Sequence, residues 1–270
     1  MRKSIFDLEI RVDINKEFVK LHRILIESRA FYYKSKWYSL YNLVNEEIFP
    51  RWRNKGLFID FDDFLDKIGI DFNLDFCDEE TFLYLLEALI NLWPIIFETL
   101  DFETYGKHFS MRVINYMNAY IPQMIEKLNY TAVKKNKNLI IVKRDPDVDS
   151  ALDLVPEKLA DLLLDYNDIR SNNIDSKIEI LKGLDKYIEE NKKSYKSINV
   201  DTYNSIQTIV NKAGINHPLE EPFKSLPKEE LISWYDKCFK LMIHLIRQKE
   251  VNEINKKRKE LVSEKEDLTC

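Results

Sequence analysis

Glycine is scarce in this chain, with five in 270 residues, and no GxGxxG or GxxxxGKS/T run is available to wrap a backbone around phosphates. The usual nucleotide-cofactor loops are thereby removed, and no cofactor is expected. HExxH and GxSxG are missing too, along with any EF-hand loop. Cysteine is nearly absent: Cys77, Cys238 and Cys270 form no CxxC pair and no disulfide framework, which fits a reducing, cytoplasmic setting. None of the four histidines, His22, His108, His217 and His244, has a second histidine or cysteine at ligand spacing, so no metal is expected on that ground. No export signal is expected either, because Met1-Arg2-Lys3 reaches Asp7 before an apolar core can form. The longest apolar stretch, Phe82 to Phe97, is interrupted by Glu87, Asn91 and Pro94 and falls short of the roughly 20 residues that cross a bilayer. No membrane partner is expected.

What is present is a globular composition, 45% hydrophobic and 32% charged, which excludes a disordered chain or a fibre. The formal charge of −5 conceals segregation. Residues 29–55 sum to +4, residues 56–105 to −12 and residues 106–144 to +7, so a polyanionic partner stays open despite the acidic total.

Apolar residues recur at helical spacing in most windows, predicting a mostly α fold. Asp13, Asp60 and Asp78 are placed to cap helices that follow them. The pattern predicts helices over Trp37 to Ile48, from Asp78 towards Pro94, and from Tyr105 to Leu128 with a bend at Pro122. The period then switches: Tyr130-Thr131-Ala132-Val133 and Leu139-Ile140-Ile141-Val142, separated by a polar turn over Lys134 to Asn138, read as one β-hairpin. Five further helical segments follow, near 147–154, 156–167, 174–191, 198–213 and 227–262, the last losing its apolar stripe beyond Lys256. A helical N-terminal domain over 1–125 and a hairpin-plus-helical domain over 126–270 are expected.

Two groups of residues carry chemistry. Arg29, Lys34, Lys36, Arg51 and Arg53 are interleaved with Phe31, Tyr32, Tyr33, Trp37, Tyr38 and Trp52. Cations attract phosphates and aromatic faces stack unpaired bases, a pattern that suits single-stranded nucleic acid, although core packing accounts for the same aromatics. Lys134, Lys135 and Lys137 add a cationic hairpin tip, where lysines also serve to block strand aggregation. The acids Asp60, Asp62, Asp63, Asp66, Asp71, Asp75 and Asp78 alternate with phenylalanines, as on an amphipathic surface, and are weighed as a solvated face over a hard-cation site. His217 follows the helix-capping Gly214 and precedes Pro218, a pinned turn where an imidazole can serve in acid/base chemistry or simply close the turn.

Several short motifs between about residues 125 and 250 carry a resemblance. They are Ile141-Val142-Lys143-Arg144-Asp145-Pro146, Leu163-Leu164-Asp165-Tyr166-Asn167, Lys177 with Ile180-Leu181, Ile215-Asn216-His217, and Glu229-Glu230-Leu231 with Trp234-Tyr235-Asp236. In this order they resemble the C-terminal region of bacterial abortive-infection proteins of the J type, relatives of the HEPN helical superfamily. The resemblance implies a HEPN-like helical domain and an intracellular phage-defence role. For HEPN members it also implies a metal-independent RNase that uses an arginine and a histidine, often across a dimer. His217 is the position carried over, with Asn211 and Asn216 as polar companions. The chain departs from the pattern in having Asn216 where relatives carry arginine, and asparagine cannot supply the guanidinium's charge to a phosphorane. The expected partners are RNA or another nucleic acid, a protein encoded in the same operon, and a second copy of the chain. A non-catalytic scaffold or sensor subunit is the alternative function.

Overall fold

The computed structural model describes residues 12–27, 29–53, 55–72, 76–100, 109–171 and 173–267. Tyr105, where one helix is expected to begin, and His108, Asp75 and Cys270 lie outside them. The chain is mostly α-helical and divides into two compact units, Met1–Ile141 and Val142–Cys270.

In the first unit, α1 (Ile14–Leu25) starts where the Asp13 carboxylate accepts from the Lys16 amide at 3.1 Å and buries Phe18, Leu21, Ile24 and Leu25. Next come β1 (Phe31–Tyr33) and β2 (Lys36–Tyr38), antiparallel, with Phe31 opposite Tyr38 and Tyr33 opposite Lys36. This second hairpin is a correction, since Trp37 and Tyr38 are expected in a helix. Lys34 and Ser35 take φ of 46° and 62°, the left-handed pair that a two-residue hairpin turn needs; usually asparagine or glycine supplies it, so the sequence does not advertise it. Ser39 then caps α2 (Leu40–Leu43), which passes into a π-helical turn over Val44–Ile48 and a 3₁₀ turn over Phe49–Arg51. Asp60 caps α3 (Phe61–Lys67) through the Asp63 amide.

The centre of this unit is α4 (Glu79–Leu100), begun by Asp78, which accepts from the Thr81 amide at 2.8 Å. It does not stop near Pro94 but continues to Leu100, 22 residues in all, with a mean hydropathy of 1.4 in its most apolar window. By length and composition it is able to cross a bilayer, contrary to the expectation from Phe82 to Phe97; half of that window is buried inside the protein, as in a core helix. Next come α5 (Met111–Asn115), a second π-helical turn (Tyr116–Tyr120) and α6 (Ile121–Lys127). Both π turns end two residues before a proline, Pro50 in one case and Pro122 in the other. Proline offers no N–H and crowds the carbonyl four residues earlier, and a register shifted by one residue upstream accommodates that defect.

The expected hairpin is present as β3 (Tyr130–Lys135) and β4 (Asn138–Lys143), with β4 carrying the chain across the division between units. Its turn is tighter than expected, Asn136-Lys137 alone, with Asn136 at φ 55°. Lys134 and Lys135 therefore belong to β3. One edge of β4 is sealed by side chains of α4. Asn91 donates to the Leu139 carbonyl at 2.7 Å and accepts from the Leu139 amide at 2.8 Å, while Glu87 accepts from the Ile141 amide at 2.7 Å.

The second unit comprises α7 (Pro146–Leu152), α8 (Glu157–Tyr166), α9 (Ile174–Glu190), α10 (Lys192–Ile198), α11 (Val200–Lys212) and α12 (Lys228–Asp267). Its core is the first half of α12, where Tyr235, Cys238, Phe239, Met242, Ile243 and Ile246 are buried and packed by α7, α9, α10 and α11. From Val251 to Lys259 every residue is exposed, so the core-facing stripe ends before the expected Lys256.

The clamp on β4 gives a direct prediction. Asn91→Ala removes the partner of the part-buried Leu139 N–H and carbonyl, which costs about 1–3 kcal/mol in all. Urea unfolding is expected to show a loss in that range, with faster exchange of the Leu139 amide proton; a loss below about 0.5 kcal/mol contradicts the clamp.

Candidate nucleic-acid interface

The cationic residues singled out in the sequence fall into three fates. At the first hairpin the charge is cancelled locally. Lys34 meets Glu47 at 2.7 Å, Lys36 meets Glu46 at 2.8 Å and Arg51 meets Glu47 at 3.3 Å, and both acids belong to the π turn over Val44–Ile48. Such exposed, solvent-screened pairs add little stability, but they leave Lys34 and Lys36 poor phosphate ligands. Their ammonium groups also lie over the Tyr33 and Tyr38 rings, at 5.2 and 4.6 Å. Arg29 is exposed at the entry to β1, with φ 60°, and Lys135 is half-buried in β3.

Arg51 and the remaining residues converge. Arg51, Trp52 and Arg53 from the turn after α2 and Lys134 and Lys137 from the β3–β4 hairpin line a single groove of about 580 Å³, with Ile90, Pro94 and Ile95 of α4 contributing apolar surface. Pro94 gives the Ile90 carbonyl no helical hydrogen bond. Arg53, Lys134 and Lys137 are exposed and have no carboxylate partner among the described residues. Glu98 is the sole acid in the lining. Trp52 is half-buried, held edge-on by Phe49 and Phe64 at 5.6 and 6.5 Å between ring centres. The groove thus combines cations from two segments, apolar surface from α4 and an anchored indole.

The aromatics of this region divide accordingly. Phe31 and Tyr38 are core, as packing predicts, and Trp52 reaches the groove. The residues that sequence reasoning missed are Glu87, Asn91 and Pro94, which interrupt the apolar stretch. Glu87 and Asn91 dock the hairpin, and Asn91 and Pro94 line the groove. The interruption itself was the signal.

The acidic run serves the fold. Asp60 and Asp78 cap helices, Asp62 accepts from Tyr41 and Asn45, and Asp63 accepts from the Ile59 amide. Among the described residues no group of three His, Cys, Asp or Glu side chains is arranged to hold a metal.

In the second unit the turn after α11 is fixed by backbone and side chain together. Gly214 takes φ 81°, Tyr235 donates to the Ala213 carbonyl at 2.8 Å, and the Asn216 amide donates to the Val210 carbonyl at 3.1 Å. The Asn216 side chain turns to α9, donating to Asp185 at 2.8 Å, and Gln207 donates to the other oxygen at 2.7 Å. His217 is exposed, and no hydrogen bond joins it to Asn211 or Asn216 among the described residues. A general base needs a group that orients it, and His217 has none among the described residues.

Three residues of the quoted motifs meet elsewhere in this unit. Lys177, 8% exposed, reaches Asp236 at 2.6 Å and lies 4.4 Å above the Tyr166 ring, and the Tyr166 hydroxyl donates to Asp236 at 2.8 Å. Burial pushes the Tyr166 phenol far above its ordinary value, so it donates a hydrogen bond rather than acting as a base. Burial likewise pushes the Cys77 and Cys238 thiols up to about 12, which leaves neither as a thiolate nucleophile near neutral pH.

No family model, curated protein or solved structure matches this chain. Its functional reading rests on its own residues.

Asp185 supplies a pH test. Burial raises its carboxyl above the ordinary 3.8, against the opposing hydrogen bonds from Asn216 and Gln207. The folded chain then holds this proton more tightly than the unfolded one, and the residue's contribution to stability improves as pH falls through the folded value towards 3.8. Urea unfolding of wild type and Asp185→Asn at about pH 7 and about pH 4 is expected to show their stability gap moving in favour of wild type at the lower pH. A gap that stays constant, or moves the other way, contradicts a buried carboxyl at this position.

Proposed function

We propose that this chain is a non-catalytic subunit that binds single-stranded nucleic acid, most simply RNA, within a cytoplasmic antiphage abortive-infection assembly. The observation that carries this reading is the groove in which Arg51, Trp52, Arg53, Lys134 and Lys137 come together from segments some 80 residues apart in the sequence. Cations gathered along one groove track a phosphate backbone, and an anchored indole offers a stacking face to an unpaired base. The assembly part of the proposal rests on the resemblance in residues 125–250, and a protein partner from the same operon belongs with it. The subunit reading is favoured over an RNase effector because Asn216 is engaged by Asp185 and no arginine accompanies His217.

Fluorescence anisotropy with a labelled oligouridylate tests the binding claim. Three unpaired cations, each adding roughly −0.7 to the slope of log affinity against log salt, predict a groove contribution of about −2. The variant Arg53→Ala/Lys134→Ala/Lys137→Ala is expected to lose that contribution together with most of the affinity at low salt. An unchanged slope contradicts the groove. Incubation of the protein with total RNA is expected to leave it intact; cleavage that disappears in His217→Ala would restore the nuclease reading.

A further inference from the structure

A second concavity in the first unit has a different character. It holds about 500 Å³ between α1 and the helix that carries the second π turn, a size that suits a small molecule. The π turn forms one wall. Tyr116 and Tyr120 stack there with centroids 4.6 Å apart and planes 27° apart, and Trp93 of α4 donates to Asn118 at 2.6 Å, fixing the turn to the core. π turns recur at functional sites because the extra residue re-aims side chains.

The polar groups around this pocket divide into engaged and unengaged. Lys20 is paired with Glu17 at 2.7 Å and Arg112 with Glu27 at 3.3 Å. Tyr120 is bonded to Glu17 and Lys20. Arg23, Asn115, Gln123 and the Tyr116 hydroxyl have no hydrogen-bond partner among the described residues, although all four residues line the same cavity. Burial pushes the Tyr116 phenol well above its ordinary value, so the hydroxyl stays a neutral donor. The site therefore presents one unbalanced cation, two side-chain amides, a phenol and an aromatic wall. An apolar ligand leaves the amides and phenol unpaired, and a triphosphate carries more charge than one unbalanced arginine offsets.

We propose that this pocket binds a nucleoside monophosphate, with the phosphate on Arg23, the base laid along Tyr116 and Tyr120, and its edge read by Asn115 and Gln123. The site is separate from the RNA groove and does not depend on it.

Isothermal titration with AMP, GMP, CMP and UMP tests it on the full chain. At least one is expected to bind at micromolar to submillimolar strength, about tenfold tighter than its own nucleoside and than inorganic phosphate. Arg23→Ala is expected to weaken that binding about tenfold. Tyr116→Phe, which keeps the ring and removes only the unbonded hydroxyl, is expected to weaken it several-fold with unchanged thermal stability. The triple groove variant is expected to bind the mononucleotide as wild type does; loss of binding in that variant would assign the nucleotide to the groove and overturn the pocket. Absence of binding by all four nucleotides, or phosphate binding as tightly as the best of them, overturns it as well.

Discussion

The first unit depends on a strand edge held by a helix. The open edge of β4 presents backbone donors and acceptors that an apolar core cannot satisfy. Asn91 and Glu87 of α4 satisfy them with three hydrogen bonds at 2.7, 2.8 and 2.7 Å. Two polar side chains on an otherwise apolar helix thus serve in place of a third strand. Because they bind Leu139 and Ile141, residues two apart on β4, they set its register on α4. That register carries Lys134 and Lys137 to the mouth of the groove.

The same arrangement shows why net charge is a poor guide here. The cations of residues 29–55 and the acids of the π turn over Val44–Ile48 are neighbours, with Glu46 paired to Lys36 and Glu47 shared by Lys34 and Arg51. Lys134 and Lys137 have no carboxylate partner among the described residues, so the electrostatic field that matters comes from a few such side chains and not from the total of −5. Asp13, Asp60, Asp78 and Asp145 are spent on helix caps, where carboxylates accept orphan amides. Prolines shape the framework by the same logic. Pro50 and Pro122 are absorbed by π turns, whereas Pro94 remains inside α4 beside the groove.

Local features were legible in the sequence and long-range partnerships were not. The caps at Asp13, Asp60 and Asp78 and the β3–β4 hairpin all follow from neighbouring residues. The β1–β2 hairpin was hidden because Lys34-Ser35 takes a left-handed turn without the residues that usually announce one. The pairing of Asn91 with Leu139 spans 48 positions and that of Tyr166 with Asp236 spans 70, and no periodicity encodes either. Asn216 is instructive: its place beside His217 marked it as a companion in chemistry, yet Asp185 on a distant helix takes its amide. Sequence located the candidate cations, and tertiary packing decided which of them are free to meet a phosphate.

The central claim is that the clamp on β4 positions the hairpin lysines for nucleic acid. A double-mutant cycle in RNA affinity tests it most directly, pairing Asn91→Ala with Lys134→Ala/Lys137→Ala. Asn91 engages the backbone of β4 with its side chain and also lines the groove, so its coupling to the lysines, and not its own loss alone, separates an effect through the hairpin from a direct contact. The account predicts that Asn91→Ala weakens binding several-fold and that the lysine substitutions then cost much less than in wild type, a coupling of about 0.5–3 kcal/mol. Undiminished affinity in Asn91→Ala, or lysine effects that add in full, contradicts it.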